Sequence, residues 1–196
     1  MQKHLVIFAK EPRLGRVKTR LGREIGHVLA WRFYRSMLHS VPRNLINKGP
    51  WKTWLAVSPD NGVFQDIRMR QISYLPQGGG DLGKRMLSPA QTLPKGAFVV
   101  IGTDVPAIQP KHIRYAFKLL GQKDVVFGPA EDGGFWLVGH KRHPNMINPY
   151  KKLVRWSHPE TLNDCLANLK GQKVGFVDTL YDVDDAQSLR RWRKDR

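Results

Sequence analysis

Cysteine is nearly missing from this sequence. Cys165 stands alone in 196 residues, so no disulfide closes within the chain and no cysteine-based zinc cluster forms. Acid is scarce as well: 16 aspartates and glutamates face 33 lysines and arginines, a formal net charge of +17 at neutral pH. Long apolar runs are absent. HLVIFA (4–9) near the start is far too short for a signal-peptide core or a membrane span. Neither an HExxH pair nor a GxSxG elbow occurs, and no Cys–His pairing is visible, which leaves zinc proteolysis and covalent hydrolysis without support. Linkers, internal repeats and low-complexity tracts are missing too, so residues 1–196 are expected to form one domain, soluble and cytoplasmic.

What is present is a field that draws anions: nucleic acid, a phospholipid surface or phosphorylated small molecules. Apolar runs alternate with helical periods along the chain. Strands are expected at His4–Ala9, Thr53–Ser58, QISYLP (71–76), Ala97–Gly102, DVVFGPA (124–130), GGFWLVG (133–139) and VGFVDTL (174–180). Helices are expected at Gly22–Leu38, with a stripe of Ile25, Leu29, Phe33 and Met37 and a stop at Pro42. Others are expected at Leu82–Leu93 with a break near Pro89, from about Pro110 to Leu120, at Pro159–Lys170 and at Asp184–Arg193. Such alternation implies a mostly parallel sheet covered on both faces, an α/β fold.

Ligands of open α/β sheets sit at the carboxyl ends of the strands, and four unusual stretches fall there. GGGDLGKR (78–85) lies one residue from a GxxxxGK[S/T] phosphate loop, but Arg85 replaces the hydroxyl that would hold magnesium. It is not a triphosphatase loop. KEPRLGRVKTRLGR (10–23) carries Lys10, Arg13, Arg16, Lys18, Arg20 and Arg23, with Gly15 permitting a close turn, a pattern suited to phosphate oxygens. GTDVP sets Asp104 just past an apolar strand, where a carboxylate holds a divalent ion or merely an Asx turn. PAEDGG offers Glu131 and Asp132 in a glycine turn. Asp81 either contacts ligand or caps the helix at Leu82. In YDVDDA, Asp184 reads as a helix cap. His140 and His143 read as surface loop residues, and Trp156 as either a stacking platform or core.

In combination, KEPRLGRVKTRL, GGGDLGKRM, GTDVP, PAEDGGFWLVG, RWSHPETL and DTLYDVDD resemble a family of small bacterial glycosyltransferase-A-like proteins of the uncharacterised "transferase 1" or DUF2064 type. The resemblance covers nearly the whole chain. It implies a three-layer α/β/α nucleotide-diphospho-sugar transferase fold with a mostly parallel mixed sheet, related also to guanylyl- and cytidylyltransferases. It carries Lys10, Gly15, Lys18 and Arg20 onto a nucleotide phosphate loop, joined by Asp81 and Gly83 of the GDLG segment. It sets Asp104 at the metal-binding acid, for Mg2+ or Mn2+, and Asp132 near the acceptor or the metal side. GTDVP departs from the DxD pair of many metal-dependent glycosyltransferases by supplying one aspartate.

The expected activity is glycosyl transfer from a nucleotide-diphosphate sugar to a small acceptor, with Lys18 and Arg20 stabilising the leaving group and Asp132 orienting the acceptor. The alternative is nucleotidyl transfer from a nucleoside triphosphate to a small phosphorylated molecule. A rival from another class is a basic nucleic-acid-binding protein, which lacks a recognisable nucleic-acid motif here. A third is a degenerate transferase that scaffolds a partner. Nucleic acid is therefore not expected as an obligate partner, and loose association with an acidic membrane surface stays open.

Overall fold

The computed structural model describes residues 1–62, 64 and 72–195. Gln71, which opens the QISYLP strand expectation, and Arg196, which ends the basic tail, lie outside the described residues.

Seven strands, β1 (Gln2–Lys10), β2 (Lys52–Ser58), β3 (Ser73–Pro76), β4 (Gly96–Ile101), β5 (Val125–Pro129), β6 (Phe135–His140) and β7 (Val174–Phe176), form one sheet in the order β3-β2-β1-β4-β6-β5-β7. β6 runs antiparallel to both neighbours and the other pairings are parallel. The sheet is buried on both sides, which is why its strands read as unbroken apolar runs. Leu5, Ile7, Leu55, Val99, Ile101 and Val126 face one layer, with α2 (His27–Leu45) and α5 (Pro110–Leu119) packed over them. Val6, Ala56, Phe98, Val100, Phe127 and Val138 face the other, with α3 (Leu82–Leu87) and α6 (Thr161–Ala167) on that side. The remaining helices are α1 (Thr19–Ile25), α4 (Pro89–Thr92) and α7 (Ala186–Lys194).

The first long helix differs from expectation in three ways. Gly26, at φ 88°, divides it into α1 and α2. Within α2 the buried face runs through Ala30, Phe33, Tyr34, Met37, Leu38, Val41 and Leu45, and Leu29, at the edge of that face in the first turn, is 52% exposed. Pro42 does not stop α2, which continues to Leu45. An interior proline costs about 3 kcal/mol; burial of Val41 and Leu45, at about 1.5–3 kcal/mol each, outweighs it.

His140 is not a surface loop residue. It ends β6 fully buried, its ring 4.9 Å from that of Phe98. Antiparallel β6 carries it to the amino end of the parallel strands, opposite the rim where the basic loop lies. His143 is exposed, as expected.

Candidate active site

Between β1 and β4 the strand order reverses: the chain builds β1, β2 and β3 outward on one side and begins again at β4 on the other. The crevice at such a switch point is where doubly wound sheets bind ligands. The loops after these two strands carry the basic segment and GTDVP.

At the end of β1 the backbone of Lys10 is clamped by Tyr34 of α2. The Lys10 amide donates to the Tyr34 hydroxyl and the hydroxyl donates to the Lys10 carbonyl, each at 2.8 Å. Glu11 turns inward and pairs with Arg13 at 2.8 Å, leaving Lys10 exposed. Gly15 takes φ 71° in the ensuing turn, and buried Val17 anchors its return. Lys18 then adopts φ 47°, a left-handed conformation costing a non-glycine residue roughly 1–2 kcal/mol.

That conformation sends the lysine side chain inward, where only 4% of it is exposed. Its Nζ lies 2.9 Å from Asp104 Oδ1 and 2.5 Å from Asp184 Oδ1. Asp184 reaches this position because the chain after β7 crosses to the site: the amide of buried Val183 donates to the Asp104 carbonyl at 3.0 Å. Asp185, not Asp184, caps α7, accepting from the Ser188 amide at 2.7 Å. The two neighbouring aspartates thus divide the work of capping and site building.

Charge is tightly balanced in this crevice. Burial disfavours the Lys18 ammonium, but Asp104 and Asp184 outweigh it and hold the lysine above its ordinary value. Burial also opposes the Asp184 carboxylate, yet Lys18 holds it below the usual range, helped by Arg20. Asp182 goes the other way, pushed up to about 6 by burial, with the Asp184 and Asp132 charges adding to the effect. The Tyr34 hydroxyl is raised by burial and by Asp104. Lys18, Arg20, Asp104 and Asp132 therefore share one electrostatic neighbourhood with Asp182, Asp184 and Tyr34.

Arg20 and Asp132 are exposed at its mouth, and the Asp132 carboxylate closes an Asx turn on the Gly134 amide at 2.9 Å. Glu131 pairs instead with Arg191 of α7 through two hydrogen bonds. Gly133, at φ 87°, sits so tightly that a Cβ would lie 1.9 Å from the Pro159 carbonyl.

The GGGDLG segment borders the site from beyond β3. Asp81 caps α3 by accepting from the Lys84 amide at 2.8 Å. Gly83 is a packing glycine, where a Cβ would lie 2.9 Å from Tyr150 and 3.0 Å from Trp156. Trp156 is partly buried against the core, its ring 5.5 Å from that of Tyr150. Gln77 donates to the Ala9 and Ala56 carbonyls and accepts from Arg85, so Arg85 supports the carboxyl ends of β1 and β2.

Among the described residues, no group of three or more His, Cys, Asp or Glu side chains is arranged to hold a metal ion. Two carboxylates suffice for Mg2+ or Mn2+ when substrate phosphates complete the shell. Asp104 and Asp184 fit that requirement beside the lysine: each meets Lys18 through Oδ1, and their side chains stay 45% and 43% exposed, leaving carboxylate oxygen to face an incoming ion.

Tyr34 is a residue of this neighbourhood that motif reading passed over, and Asp184, read from the sequence as a helix cap, belongs to it with Asp182. Asp182 and Asp184 carried a sequence signal, an acidic cluster in a very basic chain; Tyr34 carried none beyond helical periodicity.

Sheet order, layers and crevice define the α/β/α fold common to nucleotidyltransferases and nucleotide-diphospho-sugar transferases. A family model described as "Uncharacterized protein conserved in bacteria (DUF2064)" matches residues 41–158, and the chain belongs to that family. No curated protein matches the sequence. Among solved structures, one from Desulfovibrio desulfuricans G20, provisionally named a nucleotide-diphospho-sugar transferase, superposes with a TM-score of 0.89 at 23% identity, covering 100% of this chain and 89% of that one. A nucleotidyl transferase from Methanothermobacter thermautotroptrophicus gives 0.68 at 13% identity, over 99% and 97% of the two chains. The manganese complex of Rv0371C from Mycobacterium tuberculosis H37Rv gives 0.56 at 14%, over 100% of both. Similarity at these identities establishes the fold.

Proposed function

We propose that this protein is a nucleotide-dependent transferase that moves a nucleotidyl group from a nucleoside triphosphate to a small phosphorylated acceptor. The observation that carries this reading is the buried Lys18 ammonium held between Asp104 and Asp184 at the β1/β4 switch point. The acceptor oxygen attacks the α-phosphorus, the new P–O bond forms, the bond to the β-phosphate oxygen breaks, and pyrophosphate leaves. Lys18 stays protonated and donates to the α-phosphate oxygens as their charge rises. Arg20, at the mouth, meets the departing pyrophosphate. Lys10 and the backbone at Gly15 line the phosphate path, and Asp81 and Gly83 shape its far wall. Asp132 orients the acceptor, and exposed Arg13 at the rim attracts its phosphate. A divalent ion held by Asp104 and Asp184 supplies further neutralisation of phosphate charge when bound.

A second reading, glycosyl transfer from a nucleotide-diphosphate sugar, draws support from the similarity to the Desulfovibrio protein. The two separate in one experiment. Calorimetric titration with GTP, CTP, UTP, ATP, nucleoside diphosphates and their sugar conjugates is run with Mn2+ or EDTA, on wild type and Asp104→Asn. Selective, metal-assisted triphosphate binding that is lost in the variant, with pyrophosphate released on adding phosphorylated acceptors, is the expected result. Preferential binding of a sugar nucleotide would move the assignment to glycosyl transfer. Absence of small-nucleotide binding would overturn both.

A further inference from the structure

We propose that the surface built by residues 13–16 and the first turns of α2 docks onto anionic lipid bilayers. Leu14, Val28 and Leu29 are 58%, 50% and 52% exposed, three large aliphatic side chains presented to solvent. They belong to one surface. The Trp31 indole donates to the Pro12 carbonyl, tying the loop to α2; Leu14 is two residues beyond Pro12, at most ~7 Å of chain. Val28 lies one helical turn before Trp31 on the same side of α2, and Leu29 is adjacent.

Cations surround these aliphatic groups. Arg16 in the loop, Arg23 in the last turn of α1 and Arg32 in α2 are all exposed. Two acids lie near them, and both are engaged elsewhere: Glu11 faces inward against Arg13, and Glu24 accepts from the Ala186 amide at 2.9 Å, so the exposed arginines outnumber them. Aliphatic side chains ringed by arginines match the two layers of an anionic membrane interface, acyl carbon beneath phosphate. Nucleic acid would use the arginines but gains nothing from three solvent-facing aliphatics. Among the described residues no helix is long and apolar enough to cross a membrane, so the contact is one of surface docking. The inference stands apart from the transferase reading, because vesicle binding requires no nucleotide.

The test is co-sedimentation of the full chain with phosphatidylcholine vesicles and with vesicles containing phosphatidylglycerol. Wild type is expected to bind the anionic vesicles and to ignore the neutral ones. Leu14→Ser/Val28→Ser/Leu29→Ser keeps every charge and should bind about tenfold more weakly or worse. Arg16→Gln, Arg23→Gln and Arg32→Gln should each cost roughly fivefold. All six positions are exposed, so melting temperatures should stay near wild type. Anionic-vesicle binding by the triple serine variant equal to wild type would reduce the contact to nonspecific charge and overturn the proposal. Wild type that ignores vesicles but binds RNA or DNA with steep salt dependence would overturn it in favour of a nucleic-acid partner.

Discussion

Replacing Lys18 by methionine removes one charge from the crevice and leaves two carboxylates facing each other. Removing one partner of a fully buried ion pair costs about 3–5 kcal/mol. Lys18 qualifies as buried, with 4% of its side chain exposed, but the side chains of Asp104 and Asp184 are 45% and 43% exposed. Water therefore screens part of the repulsion, and about 2 kcal/mol is the appropriate figure. For 196 residues that corresponds to a melting temperature lower by roughly 4–8 °C. The left-handed backbone at position 18 is equally strained with methionine, so it drops out of the difference. The same reasoning predicts a reversal with metal. In the wild type the ammonium already occupies the point where the two carboxylates meet. In the variant that point accepts Mn2+, and an ion at a hundred times its dissociation constant returns about 2.7 kcal/mol. Differential scanning fluorimetry with and without Mn2+ measures both effects. A variant that melts with the wild type, or that gains no more from Mn2+ than the wild type does, would refute this account of the crevice.

His140 gives the fold an acid limit of its own. Burial brings its pKa down to about 4, with the Ile147 backbone opposing part of the shift. The unfolded chain therefore binds the extra proton first, near pH 6.5, and stability falls as pH drops from there towards 4. The gap is worth about 3 kcal/mol, and His140→Phe should shrink the difference in urea midpoint between pH 7 and pH 4.5, with buried His4 and His112 accounting for a further part. At the site edge, Gly133→Ala meets both a positive φ and the Pro159 carbonyl; a loss of about 2–4 kcal/mol is expected in chemical denaturation, whereas a fall under 0.5 kcal/mol would show that the hairpin relaxes freely.

The strands were legible because burial on both faces fills residues 5–9 of β1, 97–101 of β4 and 125–127 of β5 with apolar side chains, a pattern no solvent-facing element shares. The hairpin of β5 and β6 was legible from its glycine turn. Helix boundaries in the first half were not. Gly26 looks like a tolerated interior glycine until its φ of 88° is known, and Pro42 like a terminator until Val41 and Leu45 are seen buried. The site was partly legible. Asp104 announces itself just past β4 and Lys18 by its place in the basic loop after β1, whereas Asp184 is 166 residues from Lys18 and no local pattern distinguishes it from Asp185, the true cap. A residue just before a helix has no period to reveal which way it faces. His140 was misjudged because its neighbours Lys141, Arg142 and His143 are polar, while the strand ends on the histidine itself.

The crossing of the segment after β7 to the Asp104 carbonyl has a consequence for how the protein is made. Lys18, Asp104 and Asp184 leave the ribosome in that order, with most of the sheet emerging between the first and the last. Until Asp184 arrives, the lysine has only one of its two carboxylates. A chain released before Asp184 would carry the basic loop and a nearly complete sheet, with a buried Lys18 holding a single carboxylate.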